Sequence, residues 1–142
     1  MARERILVGQ DEAIVEAARP LMARIDADIE LVAVGDGARC IVAFTKLIRA
    51  GKPPLLVVLD DDLARVDGEG CARALRAIER AFESDPVAVL FYADEAADEA
   101  RKGLLATLGR AVHLQRRPEP TDARALRLAK AIAKLLKQVR GQ

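Results

Sequence analysis

Leu55-Leu56-Val57-Val58-Leu59-Asp60-Asp61-Asp62 is the stretch that decides the fold, because five apolar residues end abruptly in three aspartates. A short run that is apolar at every position is typical of a strand covered on both faces, as in a parallel sheet. Four further short runs, mostly apolar, occur along the chain: Ile6 to Gly9, Glu30 to Val34, Val87 to Phe91 and Ala111 to Gln115. The chain is therefore predicted to form a five-stranded parallel sheet.

The segments between these runs have helical periodicity. It is clearest in the last segment, where Leu128, Ile132, Leu135 and Val139 form one apolar stripe and Thr121 is the predicted N-cap. Strict alternation of strands and helices predicts right-handed crossovers with helices on both faces of one open sheet. We expect residues 1–142 to form a single doubly wound α/β domain.

Composition excludes several classes of partner. Lys plus Arg (23) nearly balances Asp plus Glu (22), and aromatic residues make up 3% of the chain, so neither a basic field nor a stacking platform favours nucleic acid. Cys40 and Cys71 lack metal-ligand spacing and are expected to be reduced and packed. No run is long enough to span a bilayer, and Met1 to Arg5 do not resemble a signal peptide. We expect a cytoplasmic protein without a membrane partner.

Two acidic turns follow the first and third strands, at Gln10 to Glu12 and at Asp60 to Asp62. In a doubly wound sheet the functional crevice lies at the carboxyl ends of the strands, so these turns are predicted to face each other. Carboxylates held close together repel each other. A bound divalent cation commonly neutralises this repulsion, and magnesium suits the site because it prefers oxygen ligands. Gly9 to Glu12 offers no glycine-rich cradle for a phosphate cofactor, which argues against flavin or dinucleotide binding.

Several motifs, taken in order, resemble the receiver domain of bacterial response regulators, over roughly Arg5 to Lys137. The run Leu56 to Asp60, followed by Asp67-Gly68, is similar to the pattern in which that family's phosphorylated aspartate ends the third strand. Val34 to Ala38 resembles the turn after the family's second strand, and Arg117-Pro118 stands where the family has a Lys-Pro pair. The resemblance implies a CheY-like, flavodoxin-like (βα)5 fold with strand order 2-1-3-4-5, and a role in two-component signal transduction.

The resemblance also implies roles for individual residues. Asp60 is the implied phosphoacceptor, and Mg2+ would be held by Asp11, Asp60 and the backbone carbonyl of Asp62, with Gln10 as a weak ligand. The carboxylate would attack a phosphoryl group from a histidine kinase or a small phosphodonor, while the metal neutralises the transferring oxygens. Such a domain accepts a phosphoryl group on its own aspartate and turns over no separate substrate. We therefore do not expect this chain to be an enzyme.

Three positions depart from the family's pattern. Gln10 replaces an acidic residue, Phe91 stands at the hydroxyl position after the fourth strand, and Arg117 takes the place of the lysine. Phe91 cannot donate a hydrogen bond, and the planar guanidinium of Arg117 aims differently from an ammonium group. A neutral hydrogen bond contributes about 0.5 to 1.5 kcal/mol, whereas swinging a two-state equilibrium from about 1:99 to 99:1 needs roughly 5.5 kcal/mol. These departures favour an atypical receiver, or pseudo-receiver, with weak or dispensable phosphorylation.

Simpler interpretations stand beside these. An aspartate cluster after a strand is often a solvated turn, and His113 is best interpreted as a partly buried strand histidine. A phenylalanine such as Phe91 more often serves core packing than function, and it would then fill the part of the cleft that a phosphoryl group would occupy. The last helix carries a basic stripe that is either a solvated face or a site for an acidic partner: Arg127, Lys130, Lys134 and Lys137. The family's use of its last two helices and last strand implies protein partners or a homodimer at that surface.

Two competing functions remain open. One is a fully working phosphorylation switch in a phosphorelay. The other, from a different class, is a magnesium-dependent phosphotransfer or nuclease enzyme of the toprim type, using Glu12 and the turn from Asp60 to Asp62. The balanced charge of the chain argues against the second, because a basic crevice for nucleic acid is lacking.

Overall fold

Five strands and five helices alternate in the computed structural model, which describes residues 3–141. Their bounds are β1 (Glu4–Gly9), α1 (Glu12–Ile25), β2 (Ile29–Ala33), α2 (Gly37–Arg49), β3 (Leu56–Leu59), α3 (Gly68–Ala81), β4 (Ala88–Ala93), α4 (Glu99–Leu108), β5 (Ala111–Gln115) and α5 (Thr121–Arg140). Met1, Ala2 and Gln142 lie outside the described residues. The prediction that Met1 to Arg5 do not form a signal peptide therefore falls partly on residues that are not described. Within residues 3–141, none of the helices has both the length and the apolar character of a membrane span.

All neighbouring strands are parallel, and their order is β2-β1-β3-β4-β5. The doubly wound fold and the strand order expected from the sequence are confirmed. Alternate residues of a central strand enter different cores: Leu56 and Val58 face one side of the sheet, and Val57 and Leu59 face the other. Because both faces are covered, these strands are apolar at every position.

The helices divide between the two faces of the sheet. α1 and α5 pack against each other over one core, while α2, α3 and α4 cover the other. Cys40 in α2 and Cys71 in α3 carry free thiols that are buried in this second core, as predicted. β5 forms an edge of the sheet and is only partly covered, with Val112 41% exposed. This edge is therefore the open side of the domain.

Four helices begin after an aspartate whose side chain accepts a backbone N–H of the first turn: Asp11 for α1, Asp36 for α2, Asp67 for α3 and Asp98 for α4. These caps satisfy donors that a helix leaves unpaired, and they place negative charge at the positive end of the helix dipole. The N-cap prediction for α5 is wrong. Pro120 takes the cap position with an extended backbone and no side-chain hydrogen bond, so Thr121 is already the first helical residue.

The first residues of α2 and α3 are glycines that lie against the loop after β3. A Cβ at Gly37 would come within 1.9 Å of the carbonyl oxygen of Val66, and one at Gly68 within 2.3 Å of the carbonyl oxygen of Asp60. Only a residue without a side chain fits at such distances. Each Asp-Gly pair of the sequence therefore serves two structural purposes, because its aspartate caps a helix and its glycine lets that helix pack directly against the loop that follows Asp60.

Candidate functional site

The residues that immediately follow β1, β3, β4 and β5 meet at one end of the sheet; they are Gln10, Asp60, Asp94 and Arg116. We call these four residues the Arg116 cluster. Nη1 of Arg116 donates to Oε1 of Gln10 at 2.6 Å and to Oδ2 of Asp60 at 2.9 Å, and its Nε donates to Oδ1 of Asp94 at 2.8 Å. The arginine thus contacts the residue that follows each of the other three strands, as expected where parallel strands end at a common edge.

The backbone of β4 also contributes a hydrogen-bond acceptor to the cluster. The carbonyl oxygen of Tyr92 accepts from Nε2 of Gln10 at 2.9 Å and from Nη1 of Arg116 at 3.3 Å. The side chain of Arg116 is 8% exposed and that of Asp60 is 17% exposed, whereas Asp94 is largely in solvent. A guanidinium fixed in this way offers several charge-assisted hydrogen bonds, each contributing about 1.5 to 3 kcal/mol.

Electrostatics keep this arginine charged. Burial alone would lower the pKa of Arg116, but its hydrogen bonds to Asp94 and Asp60 outweigh that effect and raise the pKa above its ordinary value. In return, the hydrogen bond from Arg116 holds the pKa of Asp94 below its ordinary value. The cluster therefore contains one permanent positive charge set between two carboxylates.

The arginine in the crevice is Arg116 and not Arg117, which the sequence had placed there. The side chain of Arg117 is exposed, and its backbone carbonyl accepts a hydrogen bond from Nε of Arg124 at 3.0 Å. The prediction chose Arg117 because a proline follows it. The arginine that enters the crevice is instead determined by where β5 ends. β5 ends at Gln115, so the next residue along the chain is the one that reaches the sheet's end.

Phe91 also differs from its predicted placement. It lies inside β4, which continues to Ala93, and its side chain is fully buried in the core under α2, α3 and α4. The assignment of Phe91 to a position after the fourth strand is therefore wrong, and its interpretation as a core residue is confirmed. The strand's last residue, Ala93, has no hydroxyl group either. Neither residue can donate a hydrogen bond from its side chain.

A second group of polar side chains lies beside the cluster and was missed at the level of sequence. Nη2 of Arg101, in α4, donates to Oδ1 of Asp61 at 2.6 Å, and its guanidinium carbon lies 4.3 Å from the centre of the Phe91 ring. Nη1 of Arg101 lies 3.3 Å from Nδ1 of His113, whose Nε2 lies 2.8 Å from the carbonyl oxygen of Glu95. His113 is partly buried in β5, as predicted. The turn after β3 is thereby linked to α4 and β5.

Most of the residues predicted to hold magnesium have protein partners in this structure. Asp11 is exposed, and its Oδ1 accepts from the backbone N–H of Ala13 as the cap of α1. Asp62 is exposed and donates its backbone N–H toward Oδ1 of Asp60 at 3.5 Å. Among residues 3–141, no group of three or more His, Cys, Asp or Glu side chains is arranged to hold a metal ion. With Asp60 and Gln10 bonded to Arg116, the arrangement does not fit a divalent cation.

The remaining sequence candidates lie on the surface. Glu12, the acidic residue of the toprim hypothesis, is the exposed first residue of α1. The basic stripe of α5 is exposed along its length, at Arg127, Lys130, Lys134 and Lys137, and Arg127 pairs with Glu119 at 2.7 Å. Exposure is what a solvated face requires, and it leaves the same face open to an acidic partner.

Only comparisons of structure find proteins similar to this chain. No protein-family model matches the sequence, and a search of curated proteins finds no significant match. The receiver domain of the histidine kinase CKI1 from Arabidopsis thaliana, complexed with Mg2+ and BeF3-, superposes with a TM-score of 0.73 at 12% identity, covering 99% of this chain and 93% of that one.

Two bacterial domains match in a similar way. The response regulator domain of Thermotoga maritima CheB has a TM-score of 0.65 at 16% identity, covering 99% of this chain and 98% of that one. The receiver domain of the Francisella response regulator 1452 has a TM-score of 0.67 at 17% identity, with coverage of 97% and 99%. The expected likeness is confirmed at the level of architecture: this chain has the CheY-like fold of receiver domains over nearly its whole length.

Proposed function

We propose that this chain is an atypical receiver domain that acts as a signalling and protein-interaction module in the cytoplasm. Asp60 is the residue at the phosphoacceptor position, directly after the third strand of a receiver-like sheet. The observation that carries the proposal is the 2.9 Å bond from Nη1 of Arg116 to Oδ2 of Asp60. A carboxylate that is already paired inside the cleft is a poor acceptor of a phosphoryl group.

The cost of freeing Asp60 supports weak phosphorylation. Arg116 is held at once by Gln10, Asp60 and Asp94, so removing it from the cleft breaks several charge-assisted hydrogen bonds. Transfer of a phosphoryl group needs positive charge beside its negatively charged oxygens and hydrogen-bond donors directed at them. Arg116 supplies the positive charge. Ala93, the last residue of β4, has no side-chain hydroxyl group that could donate a hydrogen bond to the phosphoryl group. Modification at Asp60 would therefore be slow and poorly coupled to the surface.

The surface proposed for protein contacts is the open edge formed by α4, β5 and α5. A groove of ≈ 500 Å³ runs between β5 and α5, and Val112 and Leu135 are among the residues that line it. The basic stripe of α5 lies exposed on the same helix. An edge strand beside an apolar groove is a typical surface for a protein partner or for a second copy of the domain.

Exposure to a small phosphodonor with Mg2+, followed by intact-mass measurement, tests this function. Asp60→Asn is the control, because it keeps the shape of the side chain and removes the acceptor oxygen. We expect the wild-type chain to gain little or no phosphoryl mass. A stable adduct that is absent from the Asp60→Asn variant would contradict weak phosphorylation and establish Asp60 as an acceptor.

The alternative function is a working phosphorylation switch that receives its phosphoryl group from a histidine kinase. The partial exposure of Asp60, at 17% of its side chain, is the observation in its favour, because Oδ1 is not bonded to Arg116. This alternative requires both the adduct and a change in self-association or partner affinity on modification. An adduct without such a change would leave the domain a modified but uncoupled receiver.

Sedimentation over a range of protein concentrations tests the homodimer part of the proposal. We expect association that Val112→Glu abolishes, because a charge would enter the groove between β5 and α5. Val42→Glu, the same substitution at an exposed position of α2, is the control for the added negative charge, since α2 packs on the other face of the sheet from α5. A wild-type chain that stays monomeric at every concentration would restrict the surface to other protein partners.

A further inference from the structure

Nη1 of Arg116 is surrounded by oxygen atoms in the way that a bound cation would be. Oε1 of Gln10, Oδ2 of Asp60 and the carbonyl oxygen of Tyr92 lie 2.6, 2.9 and 3.3 Å from this one nitrogen. Carboxylate, amide and carbonyl oxygens are the ligands that hard divalent cations use in proteins. Here a guanidinium nitrogen, anchored through Nε to Asp94, stands among them.

Two other carboxylates, which follow β1 and β3, each have a protein partner through one oxygen. Asp11 caps α1, Asp61 is paired with Arg101 at 2.6 Å, and the position directly after β1 carries Gln10, a neutral side chain. Asp60 is therefore the one carboxylate of the Arg116 cluster that is largely shielded from water, since Asp94 is 63% exposed. A single arginine supplies enough charge for it.

We propose that Arg116 is a built-in counterion that takes the place of a divalent cation beside Asp60, so that the cleft is closed to Mg2+ in the wild-type chain. Removing the guanidinium opens the cleft to a divalent cation, because the oxygens of Gln10, Asp60 and Tyr92 then lose their only cationic partner among the residues described. This inference concerns the charge of the cleft and holds whether or not the domain signals.

Titration with Mn2+, followed through the broadening of backbone amide signals, is the measurement that tests the inference. The paramagnetic ion reports where it binds, and competition by Mg2+ at constant ionic strength shows whether the site accepts both ions. Arg116→Met is the variant, and Arg117→Met is the matched control, since it removes the same charge from the neighbouring exposed residue. Gln10→Asp combined with Arg116→Met adds a second carboxylate to the opened cleft.

We expect no saturable broadening at Gln10 or Asp60 in the wild-type chain or in Arg117→Met. We expect saturable, Mg2+-competed broadening at those residues in Arg116→Met, and tighter binding in the double variant. Saturable binding at Asp60 in the wild-type chain would overturn the inference. So would folded Arg116 variants that bind no ion, because the arginine would then not be what excludes it.

Folding of each variant is read from the same amide spectrum. Arg116→Gln is the second variant, because its short polar side chain can still hydrogen-bond within the cluster if the methionine variant unfolds. The wild-type titration remains decisive in either case. No phosphodonor is present, so failure of this inference is distinguishable from failure of the proposed signalling function.

Discussion

The first residue of α3, Gly68, lies directly against the backbone carbonyl of Asp60, and a Cβ in its place would come within 2.3 Å of that oxygen. The helix that covers one side of the cleft thus rests on the residue that carries the acceptor carboxylate. The backbone N–H of Gly68 also donates to the carbonyl of Asp61 at 3.1 Å. The position of Asp60 depends on this close approach between a helix N-terminus and a turn.

Gly68→Ala is expected to destabilise the domain by about 1 to 3 kcal/mol, because the added methyl group must displace the turn after β3. Gly103→Ala in α4 is the matched control: nothing lies within 4 Å of its added Cβ, and it should stabilise the helix by up to about 1 kcal/mol. Urea unfolding followed by circular dichroism measures both. Equal effects from the two substitutions would contradict the close packing at Gly68.

A buried ion pair between Arg76 and Glu79 joins α3 to the far end of the sheet. The arginine donates to Glu79 at 2.8 Å and to the carbonyls of Leu108 and Gly109, and Glu79 accepts the backbone N–H of Val87. Both side chains are under 10% exposed, at 8% and 3%. Removing one partner would leave a buried charge without compensation.

Arg76→Met is therefore expected to lower the free energy of unfolding by about 3 to 5 kcal/mol. Arg73→Met, on the exposed side of the same helix, removes an ion pair with Glu69 whose side chains are about half exposed and should cost less than about 1 kcal/mol. Unfolding in urea at an unchanged m-value is the measurement. A cost for Arg76→Met no larger than for Arg73→Met would show that the buried pair contributes little.

The pKa of Asp94 reports on the Arg116 cluster. The hydrogen bond from Arg116 holds this pKa below its ordinary value in the folded state. A carboxylate with a depressed pKa contributes stability at pH values above its unfolded pKa, and the contribution is lost as the pH falls through the folded pKa. Arg116→Met should raise the pKa of Asp94 toward its ordinary value, as measured by a carbon-13 titration of the carboxylate. An unchanged pKa would mean that the two groups are not bonded in solution.

Much of the fold could be predicted because burial on both faces leaves a direct trace in the sequence. Each central strand is apolar throughout, and β3 ends at Leu59, where the aspartates begin. The end of β4 was less clear, since Tyr92 and Ala93 extend the apolar run beyond Phe91. The hydroxyl position is predicted at Phe91, but the strand continues to Ala93 and ends before the first charged residue, Asp94.

The site was predictable in location but not in its contacts. Gln10 and Asp60 were placed correctly because they follow apolar strands. The contact of Arg116 depends on which of two adjacent arginines follows β5, and sequence alone separates them only if the strand's last residue is known. The pairing of Arg101 with Asp61 joins residues 40 positions apart, and no local pattern indicates it.

A double-mutant cycle between Asp60 and Arg116 tests the central claim most directly. The free energies of unfolding of the wild type, Asp60→Ala, Arg116→Met and the double variant are compared, with Arg117→Met replacing Arg116→Met in a parallel cycle. The bond at 2.9 Å predicts a coupling of at least about 1 kcal/mol for Arg116 and none for Arg117. Additive effects of Asp60→Ala and Arg116→Met would contradict the claim that Arg116 holds the acceptor aspartate.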